Sequence, residues 1–168
     1  MRLLILTGAS GSGKTAIAEK IEREHSSVAV FRFDSIGVPT PEERIVRWGS
    51  AGGWQRAMTL EWLARIAVLL NQDRPVLFEG QMRFEFIQEG LLSAGVRDAR
   101  IVLVHCDHAM RMYRLREERR QPELANARML IWAEFLKREA EAAGFEVLDT
   151  SKISIEESVD YVCQRLKG

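Results

Sequence analysis

The sequence predicts an α/β domain with a largely parallel sheet and helices on both faces, and three observations support this. Apolar residues alternate along the chain between short runs and stripes of helical spacing, as repeated strand–helix units require. The run Leu-Leu-Ile-Leu at residues 3–6 is wholly apolar, which is typical of a strand buried on both faces. The 168 residues have the size of one domain, without a repeat or linker to divide them.

The short apolar runs are expected to form five strands, at residues 3–6, 28–33, 75–78, 100–105 and 145–148. The stripes are expected to form the main helices, at residues 15–25, 54–70, 83–93, 108–120, 123–143 and 155–166. Gly95 and Gly144 stand where two helices should end, and Asp107 stands where one should begin. The stretch 35–53 is rich in glycine and proline and should be partly irregular, although Thr40 before Pro41 indicates a helix start.

The balance of charge and the cysteines exclude several classes of partner. Lys and Arg total 24, as do Asp and Glu, so the formal net charge is zero; nucleic acids and anionic membranes select basic surfaces instead. Cys106 and Cys163 lie far apart and lack the spacing of a zinc site or a disulfide framework. No apolar run approaches the ~18 residues that span a bilayer. We expect a cytoplasmic protein with a small-molecule partner and leave its oligomeric state open.

Residues 8–15, Gly-Ala-Ser-Gly-Ser-Gly-Lys-Thr, match the phosphate-binding pattern GxxxxGK[ST] between a strand and a helix. Glycines there let backbone N–H groups converge on a β-phosphate at the positive end of the helix dipole. The Lys14 side chain would bridge β- and γ-phosphate oxygens, and the Thr15 hydroxyl would ligate Mg²⁺. The residues expected to bind the nucleotide are Gly8, Ser10, Gly11, Ser12, Gly13, Lys14 and Thr15.

Three fates of the γ-phosphate compete: transfer to a small acceptor, hydrolysis in a switch protein and hydrolysis in a motor. Residues 34–37 match the DxxG pattern of a GTPase, but the fourth strand leads into His-Cys-Asp at 105–107 without the guanine-specific NKxD. A motor needs strands and helices beyond this length of chain. Transfer to a small acceptor is therefore the leading hypothesis.

In the order of its phosphate-binding loop, the acidic residues that end its predicted strands and its Arg-rich segment, the chain resembles the small P-loop kinases. These include nucleoside monophosphate, shikimate and gluconate kinases and chloramphenicol phosphotransferase. It is most similar to the last at residues 33–36, Phe-Asp-Ser-Ile, and at 104–107, Val-His-Cys-Asp, which precede an Arg-rich segment. The resemblance implies a three-layer P-loop NTPase sandwich with strand order 2-3-1-4-5 in a single domain, 1–168. It also implies a lid at about 110–126 and an acceptor-covering segment at about 35–56.

Two carboxylates stand at the ends of predicted strands beside the loop, where ligands of open α/β sheets collect. Asp34 could accept the proton of an attacking hydroxyl or hold Mg²⁺ through water, and the resemblance implies the role of base. Glu79 could reach the metal through water or orient the acceptor. The structural alternatives are a turn cap for Asp34 and an ion pair, for example with Arg83, for Glu79.

Arginines are expected at both the phosphate and the acceptor. Arg114 and Arg119 are most similar to lid arginines, whose fork-like donors suit a transferring phosphoryl group. Arg44 and Arg47 lie with Trp48 and Trp54 in the acceptor-covering segment, where they could hold a phosphate and stack a base. Packing of both tryptophans in the core is an equally good interpretation.

We therefore predict a kinase that transfers the γ-phosphate of Mg·ATP to a hydroxyl of a small molecule, with Asp34 as the base. The first alternative is a nucleoside monophosphate kinase, in which the acceptor phosphate is already ionised and Arg44, Arg47 or Arg83 matters more than Asp34. The second is a nucleotide-binding module that performs no transfer. The identity of the acceptor does not follow from the sequence.

Overall fold

A parallel sheet of five strands, in the order β2-β3-β1-β4-β5, forms the middle layer of the computed structural model, which describes residues 3–70 and 74–167. The strands are β1 (Leu3–Thr7), β2 (Ala29–Arg32), β3 (Val76–Gly80), β4 (Ala99–His105) and β5 (Glu146–Asp149). All four neighbouring pairs are parallel. The predicted fold class and strand order are confirmed.

Seven α-helices occur in the part of the chain that the structure describes. They are α1 (Lys14–Glu24), α2 (Pro41–Trp48), α3 (Ala51–Leu69), α4 (Phe84–Ser93), α5 (His108–Tyr113), α6 (Ala127–Ala143) and α7 (Ile155–Lys167). There are also three shorter helical turns. The turn Phe33–Ile36 follows β2, the turn Arg114–Glu118 follows α5, and the turn Pro122–Leu124 precedes α6. None of the helices in the described ranges is long and apolar enough to cross a membrane.

Both faces of the sheet are covered, which explains the unbroken apolar run of β1. Leu3 and Ile5 pack with buried side chains of α3, α4 and α6 on one face. Leu4 and Leu6 pack with α1 and α7 on the other. Full burial of each such side chain contributes about 1.5–3 kcal/mol, so the alternation fixes both the strand and the two helical layers.

Side-chain caps shape the segment between β2 and α3 more than its glycine content predicts. Thr40 and Glu43 form a reciprocal capping box, which starts α2 at Pro41. The Ser50 hydroxyl accepts a hydrogen bond from the Gly53 backbone N–H at 2.9 Å, so α3 begins at Ala51, three residues before the expected start at Trp54. The irregular stretch is therefore shorter than predicted.

The helix after β4 also departs from expectation. The sequence predicts a regular helix to about Arg120, but α5 ends at Tyr113 and the chain continues as a π-helical turn over Arg114–Glu118. Asp107 caps α5 as predicted, by accepting a hydrogen bond from the Met110 N–H at 2.8 Å. Arg120 then takes a left-handed backbone conformation with φ 52°, which ends the turn.

Candidate active site

The loop at residues 8–13 joins β1 to α1 at the carboxyl edge of the sheet. Gly13 precedes α1 with φ 99°, a left-handed conformation that favours glycine, and Lys14 begins the helix. Gly11 has φ 79°, and a Cβ there would lie only 3.0 Å from Leu115 Cγ. The Ser12 hydroxyl is buried and has no hydrogen-bond partner among the described residues. The Ser12 hydroxyl is therefore free to donate to an anionic ligand, as a phosphate-binding loop requires.

Two arginines and a threonine hold the loop backbone through hydrogen bonds to its carbonyl oxygens. The Arg111 side chain is only 1% exposed and donates to the Ser10 carbonyl at 2.9 Å and the Cys106 carbonyl at 3.0 Å. Arg114 donates to the Ser12 carbonyl at 3.2 Å and to Thr150 at the hydroxyl, 2.8 Å, and the carbonyl, 3.0 Å. The loop backbone is thus tied to the chain that follows β4 and β5.

A compact group of charges lies beside the loop. Burial lowers the pKa of the Lys14 ammonium, and the nearby carboxylates of Glu79 and Asp34 oppose this shift. Burial raises the pKa of the Glu79 carboxyl; Lys14 counteracts this shift, while Asp34 adds to it. The Thr15 hydroxyl donates to the Glu79 carboxylate at 3.5 Å. The charges of Lys14, Glu79 and Asp34 therefore influence one another as one electrostatic unit, in which Glu79 also contacts Thr15.

A cleft of about 520 Å³, here called the loop cleft, opens on one side of this unit. Lys14, Thr15, Arg114, Arg119 and Thr150 supply polar groups to its lining. Two apolar side chains also contribute, namely Ile153 of the β5–α7 connection and Ile155 at the start of α7. This combination of cations, backbone donors and an apolar wall suits a nucleoside triphosphate.

A second cleft, here called the Asp34 cleft, has a volume of about 470 Å³. It shares no lining residue with the loop cleft. Asp34, Arg44 and Arg83 supply its charged groups, and Trp54 and Trp132 supply its large aromatic surfaces. Asp34 stands in the short turn Phe33–Ile36 at the end of β2. One acid, two guanidinium groups and two indoles can bind a small polar molecule.

Solved structures of similar shape identify the fold. A tunicamycin resistance protein from Deinococcus radiodurans has a TM-score of 0.71 at 16% identity, with 99% of this chain and 96% of that chain covered. A gluconokinase from Sinorhizobium meliloti 1021 has a TM-score of 0.66 at 18% identity, with 99% and 91% covered. Shikimate kinase from Acinetobacter baumannii gives 0.65 at 13% identity, with 99% and 93% covered. The chain has the fold of the small P-loop kinases.

No protein-family model matches the sequence. No curated protein matches it either.

On this P-loop kinase fold, the predicted acceptor residues divide into two groups. Asp34, Arg44 and Arg83 line the Asp34 cleft together. Arg47 lies outside that lining, over the Trp48 ring at 4.7 Å from its centroid. Trp54 serves both interpretations at once, since it is 7% exposed within the core and still forms a wall of the cleft.

The predicted phosphate residues gather at the loop cleft. Gly11, Gly13, Lys14 and Thr15 line it, as do Arg114 and Arg119. Gly8, Ser10 and Ser12 lie in the same loop; a Cβ at Gly8 would collide with the Val104 carbonyl oxygen. Glu79 pairs with Thr15, whereas Arg83, its suggested ion-pair partner, pairs with Glu85 at 2.8 Å and Glu139 at 3.8 Å.

Sequence reasoning missed two glutamines that connect the clefts. The Gln81 side-chain oxygen accepts a hydrogen bond from the Ser10 hydroxyl at 3.3 Å, and its backbone carbonyl accepts one from the Gln55 side chain at 2.8 Å. Both glutamines line the Asp34 cleft. Gln81 lies two residues after Glu79 at the end of β3, and this placement was the available signal.

Proposed function

We propose that this protein is an ATP-dependent phosphotransferase that moves the γ-phosphoryl group of Mg·ATP to a hydroxyl of a small molecule. One observation carries the proposal: Lys14 lines the loop cleft, Asp34 lines the second cleft, and the loop residue Ser10 donates a hydrogen bond to Gln81 of that second cleft at 3.3 Å. A donor and an acceptor bound in the two clefts would meet between Lys14 and Asp34. The kinases of small molecules that share the fold support the same reaction class.

In the proposed reaction, the acceptor oxygen forms a bond to the γ-phosphorus while the bond from that phosphorus to the β–γ bridging oxygen breaks, so that ADP leaves. The Asp34 carboxylate accepts the proton of the hydroxyl. Lys14 and the loop N–H groups stabilise the negative charge on the phosphates. Arg119, which lines the loop cleft on the lid, adds a cation to the same region.

Thr15 and Glu79 fit the proposed magnesium ion. Their oxygens lie 3.5 Å apart beside Lys14, and hydroxyl and carboxylate oxygens are the ligands that Mg²⁺ prefers, directly or through water. The burial that raises the pKa of Glu79 would be offset by a bound cation. When bound, the ion supplies positive charge that neutralises the β- and γ-phosphate oxygens.

The proposal includes a small-molecule partner and a cytoplasmic location. The net charge of zero disfavours nucleic acid as a partner, but a site with a few cations can bind a phosphate ligand in a neutral protein. Cys106 and Cys163 are both buried free thiols, which is consistent with a reducing compartment.

Replacement of Asp34 by Asn tests the role of base. Because the amide cannot accept the proton, we expect acceptor-dependent ADP release to fall by about 10²–10⁴-fold while the dissociation constant of ATP changes little. The measurement compares ADP release with and without acceptor, over a panel of nucleosides, sugars, hydroxy acids and antibiotics. Unchanged turnover in the Asn variant would exclude the assignment.

A nucleoside monophosphate kinase remains the second candidate, because Arg44 and Arg83 both line the Asp34 cleft and could bind an acceptor phosphate. In that enzyme the acceptor oxygen is already ionised, so Asp34→Asn would retain most of its activity. Tight ATP binding without turnover on any acceptor would instead indicate a nucleotide-binding module.

A further inference from the structure

Two carboxylates line the loop cleft, although the ligand proposed for it is an anion. They belong to Glu19 of α1 and to Glu118 of the turn Arg114–Glu118, and both residues are exposed. An ionised carboxylate repels a phosphate and has no proton to donate to it. Neither glutamate can therefore bind the triphosphate, so each must face another part of the nucleotide or solvent.

The two glutamates differ in the partners that the protein gives them. Glu22 most strongly, and Glu19 more weakly, raise the pKa of the Arg32 guanidinium, so Glu19 acts on a cation of the protein. No ion pair and no carboxylate hydrogen bond of Glu118 occurs among the described residues. A carboxylate that lines a cleft without an internal partner is the better candidate for contact with a ligand.

The arginines that line the cleft with Glu118 are engaged elsewhere. Arg114 is held by its hydrogen bond to the Ser12 carbonyl at 3.2 Å. Burial and, more weakly, the charge of Arg119 lower the pKa of the Lys14 ammonium, which places the Arg119 charge toward the phosphate-binding end of the cleft. The carboxylate of Glu118 is therefore left to accept hydrogen bonds from a neutral group of the ligand.

The ribose of a nucleotide offers the donors that such a carboxylate needs. Its 2′- and 3′-hydroxyls are neutral neighbours, and together they match the two oxygens of one carboxylate; dinucleotide-binding folds use an Asp or Glu on the ribose in this way. With the triphosphate at Lys14 and Thr15 and the base at the apolar wall of Ile153, the ribose would lie between them. The cleft volume of about 520 Å³ can hold all three parts.

We infer that the Glu118 carboxylate accepts hydrogen bonds from the ribose hydroxyls of ATP and so selects ribonucleotides over deoxyribonucleotides as phosphoryl donors. The inference rests on the proposed function, because it concerns the donor of the same reaction. Glu118 is then a specificity residue that takes no part in the transfer step itself.

Calorimetric titration of the full chain with ATP, 2′-deoxyATP and 3′-deoxyATP, each with Mg²⁺ and without acceptor, tests the inference. Each protein is scored by the ratio of the Kd of a deoxy analogue to the Kd of ATP, because removal of a negative charge alters the affinity for all three nucleotides alike. The variants are Glu118→Ala, Glu118→Gln and the control Glu117→Ala, an exposed glutamate of the same turn that does not line the cleft. Titration with ITP, which lacks the amino group of adenine, tests for a contact with the base.

We expect the wild type to bind ATP about 10-fold more tightly than either deoxy analogue, because each analogue loses a hydrogen bond to a charged group. Glu118→Ala should bring both ratios close to unity. Glu118→Gln should keep part of the preference, because its amide carbonyl still accepts one hydrogen bond. Glu117→Ala should retain the ratios of the wild type.

Ratios close to unity in the wild type, or ratios that survive in Glu118→Ala, would overturn the inference. A preference for ATP over ITP that depends on Glu118, without any ribose preference, would also overturn it, since the carboxylate would then contact the base. Failure of every nucleotide to bind would reject it together with the nucleotide site.

An assay of acceptor-dependent ADP release separates the inference from the proposed function. Ribose selection that depends on Glu118, without transfer to any acceptor, would uphold the role of Glu118 and reject the phosphotransferase. Phosphoryl transfer by a protein that binds ATP and its deoxy analogues equally would do the reverse.

Discussion

Arg111 and Arg114 illustrate how differently two neighbouring arginines can act. Arg111 is buried, and both of its hydrogen bonds end on backbone carbonyl oxygens instead of carboxylates. Burial lowers its pKa, and charge interactions with Cys106 and Glu134 oppose this shift. Arg114 has similar carbonyl partners but stands at the edge of the loop cleft. The first is a structural support of the loop, whereas the second can also reach a ligand.

Replacement of Arg111 by Leu should therefore destabilise the fold. The carbonyls of Ser10 and Cys106 would lose their donors inside the protein, at a cost of about 2–3 kcal/mol in the free energy of unfolding. Urea unfolding measures the change. The exposed Arg116 provides the control, since Arg116→Leu should change the free energy by less than about 0.5 kcal/mol. Equal values for the two variants would contradict the supporting role.

At the scale of single residues, the sequence predicted which side chains lie at the clefts better than it predicted burial. Lys14, Thr15 and Asp34 were identified because a motif or a strand end fixes their position. The burial of Arg111 was not predicted, because it stands in a segment with four other arginines and residue type alone does not distinguish a buried guanidinium from a solvated one. Gln81 was missed because its partners, Ser10 and Gln55, lie 71 and 26 residues away along the chain.

The π-helical turn over Arg114–Glu118 sets the relative placement of Arg114 and Arg119. The Arg119 N–H donates to the Arg114 carbonyl at 2.9 Å, a bond across five residues. In a regular α-helix two residues five apart point about 140° away from each other. The wider turn brings them toward the same side, and both line the loop cleft. The predicted regular helix to Arg120 could not include this, since no residue type in Arg114–Glu118 marks a π turn.

The two lid arginines should consequently differ in kinetics. Arg119→Ala should lower kcat by at least about 10²-fold with little change in the dissociation constant of ATP, because the cation would act on the transferring group. Arg114→Ala should weaken ATP binding as well, since Arg114 also holds Ser12 and Thr150. Initial rates and calorimetric titration of ATP measure both quantities. If Arg119→Ala behaves like the exposed control Arg116→Ala, the assignment fails.

Over the whole molecule, alternation of apolar runs and stripes was enough to predict five strands and the two covering layers. Because β1 is apolar on both faces, helices must cover both faces of the sheet, and the fold class could therefore be predicted from the sequence. The strand order came from a resemblance and has now been confirmed by the pairing of β1 with β3 and β4. The Asp34 cleft could not be predicted from the sequence, because its walls come from α2, α3, α6 and the ends of two strands at once.

Glu146 connects the edge strand β5 to two other elements and gives the fold an acid-sensitive link. Its carboxylate accepts hydrogen bonds from Arg165 and from the Tyr161 hydroxyl, 2.9 Å, and pairs with Arg100 of β4 at 3.4 Å. Burial alone would raise the pKa of Glu146, but these partners hold it below the ordinary value. The stabilisation is present above about pH 4.3 and is lost as the pH falls through the lower pKa of the folded state.

We therefore expect Glu146→Gln to be less stable than wild type at pH 7 and to lose less stability on acidification. Chemical denaturation at pH 7 and at about pH 3 measures the difference, which should shrink at the lower pH. Glu141→Gln, at an exposed position of α6, is the matched control. A constant difference between Glu146→Gln and wild type across this range would refute the link.

All eight residues of α2 are partly or fully exposed, and glycines in left-handed conformations, Gly37 and Gly49, flank the segment. The helix that contributes Arg44 to the Asp34 cleft contributes no fully buried residue and meets the core through the half-buried Trp48. Under the proposed function, substitutions at its exposed positions should change acceptor preference with little effect on folding. A combinatorial library confined to Val38 and α2 is accordingly a practical route to new acceptor specificity on this scaffold.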